Sequence, residues 1–216
     1  IKLWDDDVLY ISNVGDDFEK YFGKWMDDNH FSRDGLKVIL PHTMYTELKY
    51  GEMNLFTETG IYGEEEDVLI AKLDHPDVDW IASFCGKETK GIYVEAMEDD
   101  VFWDSLDVIR EKGDIKIMWE IPTASAIEAD RREQTLKTIQ KAGLFSINNL
   151  PESMSLFEVK SEEEAIEKIL QFGVPCFFRV GEKGSYFLCD NESHFAASVT
   201  IGDVEDPTGC GNCSTA

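Results

Sequence analysis

The sequence predicts an α/β protein: a mostly parallel sheet with helices on both faces, and a small β-rich segment set apart from it. Two observations carry this. A unit of amphipathic helix, glycine and short apolar run occurs three times, with helices over residues 98–112, 126–142 and 161–172. The glycines are Gly113, Gly143 and Gly173, and the runs are Ile115–Ile121, Leu144–Ile147 and Cys176–Val180. Helices alternating with short apolar strands build a parallel sheet, whose ligands bind at the carboxyl ends of the strands. The second observation is the stretch 35–62, rich in threonine and tyrosine and broken by Pro41, Gly51 and Gly60, as the strands of a small sheet are.

In chain order, Asp7–Ser12 is an apolar run suited to a buried strand, and Asn13–Asp17 is a turn. Phe18, Tyr21, Phe22, Trp25 and Met26 then recur at helical spacing. Glu64–Asp67 starts a short helix that runs through Val68–Leu73, and Trp80–Cys85 reads as a strand. The helix at 161–172 is the best marked. Ser161 and Glu164 form a capping box, Ala165, Ile166, Ile169 and Leu170 supply the buried stripe, and Gly173 with Pro175 ends it. Strands at Tyr186–Cys189 and Phe195–Ile201 lead to Asp206. The acidic runs Asp5–Asp7 and Glu98–Asp100 read as solvated helix starts.

The 216 residues carry 44 acidic against 20 basic side chains, a formal net charge of -24. That charge opposes binding to nucleic acid or to an anionic membrane surface. A phosphate ligand would have to be held against it by backbone dipoles, a metal ion or a few cations. Five scattered cysteines, with no secretory leader, point to reduced thiols and a cytoplasmic protein. No apolar run approaches the roughly 20 residues that cross a bilayer. Cys210 and Cys213 form a C-x-x-C, but a zinc site would need further ligands, and the other three cysteines have no paired spacing. The four histidines lie far apart, so satisfied or exposed side chains are expected rather than ligands.

The chemistry-bearing stretch is Asp206–Ala216, where Gly209 and Gly211 flank Cys210 ahead of small residues suited to starting a helix. On its own such a stretch reads either as a plain tight turn or as a place where converging backbone N–H groups hold an anion. Upstream come Asn149 and Glu152 in an N-x-x-E spacing, then Gly181 and Gly184 in R-V-G-E-K-G, with Val14–Asp17 reading V-G-D-D. In this order, and with Asp206, Thr208, Gly209 and Gly211 as D-x-T-G-x-G, these motifs resemble the ribokinase-like (PfkB-type) carbohydrate and nucleoside kinases. The resemblance covers roughly Val8–Ala216 and implies a three-layer α/β fold made of residues 1–34 and 63–216. It also implies a β-rich lid over 35–62 that covers the substrate and can pair with a second subunit as a homodimer; an edge hairpin is the alternative on sequence alone.

By the same resemblance, ATP and Mg2+ are the cofactors, a monovalent cation would sit near Asp206 and Thr208, and a sugar or nucleoside-like small molecule is the acceptor. Gly209, Cys210 and Gly211 would present N–H groups to the transferring phosphoryl, Asn149 and Glu152 would place the metal, and Gly181 and Gly184 would line the nucleotide. Three positions depart from the pattern. Cys210 replaces the usual alanine, Arg179 stands where threonine is usual, and Asn212 occupies the position of the aspartate that serves as catalytic base. Two functional readings follow: a kinase, or a kinase-like binding or regulatory module that has lost its base. The chain is expected to lack N- and C-terminal parts of the fold, since the five residues from Asn212 on are too few to hold a helix.

Overall fold

The structure, a computed structural model, describes residues 7–50, 56–73, 75–199, 202 and 209–215. The chain divides into two compact units, Ile1–Phe84 and Cys85–Ala216.

In the first unit, β1 (Ser12–Gly15) leads into α1 (Phe18–Asp28), and β2 (Leu36–Leu40) returns parallel to β1. Val14, Phe18 and Met26 form the core here, with Phe31 and Leu36 packed against it. The first strand is therefore not Asp7–Ser12 but the more polar Ser12–Gly15. Asn13 can be buried in it because its side-chain amide donates to the carbonyls of Leu73 and His75, each at 2.8 Å. The antiparallel hairpin of β3 (Thr46–Tyr50) and β4 (Phe56–Gly60) follows. Leu36–Leu40, grouped by the sequence with the lid stretch, pairs with β1 instead, and Leu40 is buried.

Two helices complete this unit, α2 (Glu64–Leu73) and α3 (Val78–Phe84). The second corrects the expected strand at Trp80–Cys85. Asp77 Oδ1 accepts from the N–H groups of Asp79 and Trp80, at 2.8 and 3.1 Å, and Trp80 packs on Phe84 one turn later with ring centroids 4.8 Å apart. His42 is satisfied, with Nε2 2.8 Å from Glu66 Oε1 and its ring against Tyr62.

The second unit holds a six-stranded sheet. In chain order its elements are β5 (Gly91–Glu95), α4 (Leu106–Arg110), β6 (Lys116–Glu120), α5 (Thr123–Ile127), α6 (Arg132–Ala142), β7 (Phe145–Ile147) and α7 (Leu150–Phe157). Then come α8 (Glu162–Phe172), β8 (Cys176–Arg179), β9 (Gly184–Cys189), β10 (Glu192–Ala197) and α9 (Cys210–Thr215). The sheet order is β10-β9-β8-β7-β6-β5, parallel from β5 to β8 and antiparallel from β8 to β10. Helix α6 packs on β6, α7 on β7 and α8 on β9. Trp119, Phe145, Ile147 and Phe178 are fully buried, and every residue of β7 is, as a central parallel strand covered on both sides requires.

Helix α8 matches its sequence signature. Ser161 Oγ accepts from the N–H of Glu164 at 3.2 Å, and Gly173 ends the helix in the left-handed conformation at φ 77°. The other two expected helices are broken. Residues 98–112 yield a 3-10 turn (Val101–Asp104) and then α4, while 126–142 splits at Glu128, whose backbone is extended. Strand β5 went unanticipated. Glu98 is not a solvated helix start: it is buried between α5 and α6, accepting from the Ser125 hydroxyl and from Arg131 Nη1 at 2.7 Å. Burial pushes its carboxyl up, but those two hydrogen bonds, its own backbone N–H and the Arg131 charge together hold it below the ordinary glutamate range. Cys176, Cys189 and Cys213 are free thiols. Among the described residues no helix is long and apolar enough to cross a membrane.

Candidate active site

Because β6, β7 and β8 run parallel, their carboxyl ends share one edge of the sheet, and three candidate segments start there. Glu120 ends β6, Asn148 and Asn149 follow β7, and Arg179 ends β8.

Asn149 is the N-cap of α7. Its backbone is extended, its side-chain oxygen accepts from the N–H of Glu152 at 2.9 Å, and Pro151 lies in the first turn, where a missing N–H costs nothing. Its amide nitrogen donates to Glu152 Oε1 at 2.9 Å, and the Thr123 hydroxyl donates to the same oxygen at 2.9 Å. Glu152 is 4% exposed, and its Oε2 is buried without a hydrogen-bond partner among the described residues. Burial raises the Glu152 carboxyl above its ordinary range, and the polar groups of Thr123, Asn149 and Asn148 offset this only in part. A pinned carboxylate with one unmatched oxygen fits a hard cation or a water that the cation holds. Asn149 and Glu152 thus stand together as the sequence expects, with Asn149 acting first on Glu152.

An acid that is harder to ionise when folded stabilises the protein below its unfolded pKa, and this contribution is lost as pH rises through the elevated folded value. Glu152→Gln is therefore expected to gain in Tm on the wild type as pH is raised from about 4 to about 8 without added Mg2+. Thermal denaturation at matched ionic strength checks this; a constant difference across that range would mean Glu152 does not bury an uncompensated charge.

Gly181 and Gly184 bound a 3-10 turn that joins β8 to β9. Gly184, at φ 137°, is required by packing, since a Cβ there would lie 2.1 Å from the carbonyl oxygen of Ala196 on β10. Gly181, at φ 66°, faces open space. Lys183 is held by Glu162, Nζ to Oε2, at 2.6 Å.

At the last turn, Gly209 is left-handed at φ 81°, and its carbonyl accepts from the N–H of Cys213 at 2.9 Å. Gly211 lies inside α9, so the conformational need for glycine falls on Gly209. The side chains of Cys210 and Asn212, and all of Asp206 and Thr208, lie outside the described residues.

Arg179 and Glu120 join this edge unannounced. Arg179 is 7% exposed and Glu120 3%. Arg179 Nη1 donates to the carbonyl of Gly211 at 2.8 Å, and Nη2 donates to Glu120 Oε1 and Asn148 Oδ1. Tyr93 adds a hydroxyl to Glu120 Oε2 at 3.2 Å, and burial beside that carboxylate pushes the Tyr93 phenol well up. The sequence did carry a signal: an arginine at the usual threonine position, and a glutamate inside the apolar run Ile115–Ile121.

The sheet order, the strand-end motifs and the glycine turns define a ribokinase-like fold, and the motif resemblance and the architecture agree on it. Solved sugar and nucleoside kinases share it. An adenosine kinase from Sinorhizobium meliloti superposes with a TM-score of 0.71 at 15% identity, over 96% of this chain and 63% of that one. A fructokinase double mutant from Vibrio cholerae O395, in its fructose, ADP and potassium ion bound form, gives 0.67 at 13% identity over 96% and 69%. An E. coli protein designated ribokinase II, in complex with ATP and Mg2+, gives 0.64 at 21% identity over 94% and 66%. The chain thus spans less than two thirds of the length of the adenosine kinase. No protein-family model and no curated sequence matches it.

Proposed function

We propose that the chain is part of an ATP-dependent kinase that transfers the γ-phosphoryl group to a hydroxyl of a sugar or nucleoside-like small molecule. The observation that supports this most is the Asn149–Glu152 pair, with its unmatched buried oxygen, at the carboxyl edge of a ribokinase-like sheet. Glu152, oriented by Asn149 and Thr123, would hold Mg2+ through a water. When bound, that ion neutralises charge on the phosphates. The N–H groups of Gly209, Cys210 and Gly211 are assigned to the transferring phosphoryl, Gly181 and Gly184 to the nucleotide, and Asp206 with Thr208 to a monovalent cation. Within residues 35–62, the β3–β4 hairpin is assigned to a lid. Phosphoryl transfer depends mostly on positioning and electrostatics, so these groups supply most of what the step needs.

ADP release by the full-length protein, with and without a panel of sugars and nucleosides, tests the reading. Asn212 supports a second one, since an amide cannot take a proton: a binding or regulatory module. Nucleotide binding without turnover on any acceptor would select it.

The backbone at Gly209 yields a further expectation. A left-handed conformation costs a non-glycine residue roughly 1–2 kcal/mol, so Gly209→Ala should weaken MgATP binding about tenfold. A Cβ at Gly211 would meet Arg179 and Asn148 only at ordinary contact, 3.8 Å, so Gly211→Ala should stay within about threefold of the wild type. Calorimetry on the folded variants checks the ranking; equal affinities would remove the turn from the phosphate site.

A further inference from the structure

Arg179 is the one basic side chain that is buried among the described residues. Its guanidinium draws together three segments distant in sequence: the end of β6 through Glu120, the loop after β7 through Asn148, and the first turn of α9 through the carbonyl of Gly211. Asn148 immediately precedes Asn149, so the same group that holds Gly211 also holds the loop that places Glu152. Helix α9 has six residues, too few to keep a helical turn without outside support.

We propose that Arg179 is a positioning residue, tethering the Gly209–Gly211 turn to the strand-end loop that carries Asn149 and Glu152. The proposal rests on the assignment of that turn to the phosphoryl group for its catalytic consequence, but not for the tether itself. A planar guanidinium presents its donors as a rigid fork, so one side chain can address several acceptors at fixed angles. In a dry setting such charge-assisted bonds are short and directional. A lysine ammonium is compact and carries no such fork, so charge without shape should not suffice.

Three variants of the full-length protein separate a tether from a merely structural ion pair. Arg179→Lys keeps the charge, Glu120→Gln keeps an acceptor for the guanidinium, and the double variant Arg179→Met/Glu120→Leu removes both charges together so that neither is buried unpaired. The first readout is amide hydrogen exchange. In Arg179→Lys and in the double variant, exchange over residues 209–215 should speed up at least about tenfold while β7 stays within about twofold, whereas Glu120→Gln, which keeps the bond to Gly211 but leaves the buried Arg179 charge unpaired, should affect 209–215 no more than it affects β7. The second readout is kinetic. Misplacing the turn should lower kcat by about ten- to a hundredfold and weaken MgATP in the same direction as Gly209→Ala, by up to about tenfold.

Unchanged exchange over 209–215 in both variants overturns the tether. Exchange that accelerates equally across the sheet overturns it too, because Arg179 would then support the fold at large. If the wild type binds no MgATP, the kinase reading fails, and the exchange pattern still decides the tether without any nucleotide present.

Discussion

Asn212→Asp in the full-length protein is expected to raise phosphoryl-transfer turnover by at least about tenfold, with little change in MgATP affinity. Residue 212 is the third residue of α9, close to the positive end of the helix dipole, which keeps a carboxylate ionised and able to accept a proton. Asparagine has nearly the same shape and could still accept a hydrogen bond from an acceptor hydroxyl, so on this reading orientation would survive in the native residue. General-base assistance is typically worth about 10²- to 10⁴-fold, and a loose phosphoryl transition state draws on it late, which places the gain toward the lower part of that range. Turnover of both forms on the best acceptor decides it. No gain in a folded variant that binds MgATP would mean that position 212 does not carry the base role.

The largest loss of stability is expected at Glu98→Ala, about 3 kcal/mol, or a Tm lower by about 6–12 °C for a chain of this size. The substitution strips the buried Ser125 hydroxyl of its acceptor and leaves Arg131 with Glu128. Arg131 is a third exposed and keeps that second partner, which holds the loss to the low end for breaking a buried pair. Since the Glu98 carboxyl is held below the ordinary range, its contribution is present above the unfolded pKa and lost as pH falls through the folded one. The deficit should therefore shrink in acid. Denaturant unfolding at neutral and acid pH measures both parts, and a deficit that grew on acidification would contradict the assigned network.

The fold was legible wherever local signals and packing agree. Gly143 and Gly173 are left-handed caps after α6 and α8, and the apolar runs beyond them are the buried strands β7 and β8. It was illegible where one side-chain contact decides. Trp80–Phe84 has the composition of a strand, but the Asp77 carboxylate fixes a helix start ahead of it. Glu98 and Asp100 look like a solvated acidic run, yet one is sunk between helices and the other caps a 3-10 turn through the N–H of Phe102. At the candidate site, Asn149 and Glu152 were named through the order of the motifs in the family resemblance, and their contact is local, three residues apart. Arg179 and Glu120 are 59 residues apart, and no local pattern reports that they meet.

The strands from Gly91 onward lie side by side in the order in which they occur in the chain, β5 through β10 with none skipped. A nascent chain leaving the ribosome would then lay down each strand against the one made just before it, so no pairing waits for a distant segment to be synthesised. Such a sheet grows like a zipper with one advancing edge. Arrested chains of increasing length should gain protease resistance in steps that follow the connections, each new strand sealing the edge exposed by its predecessor.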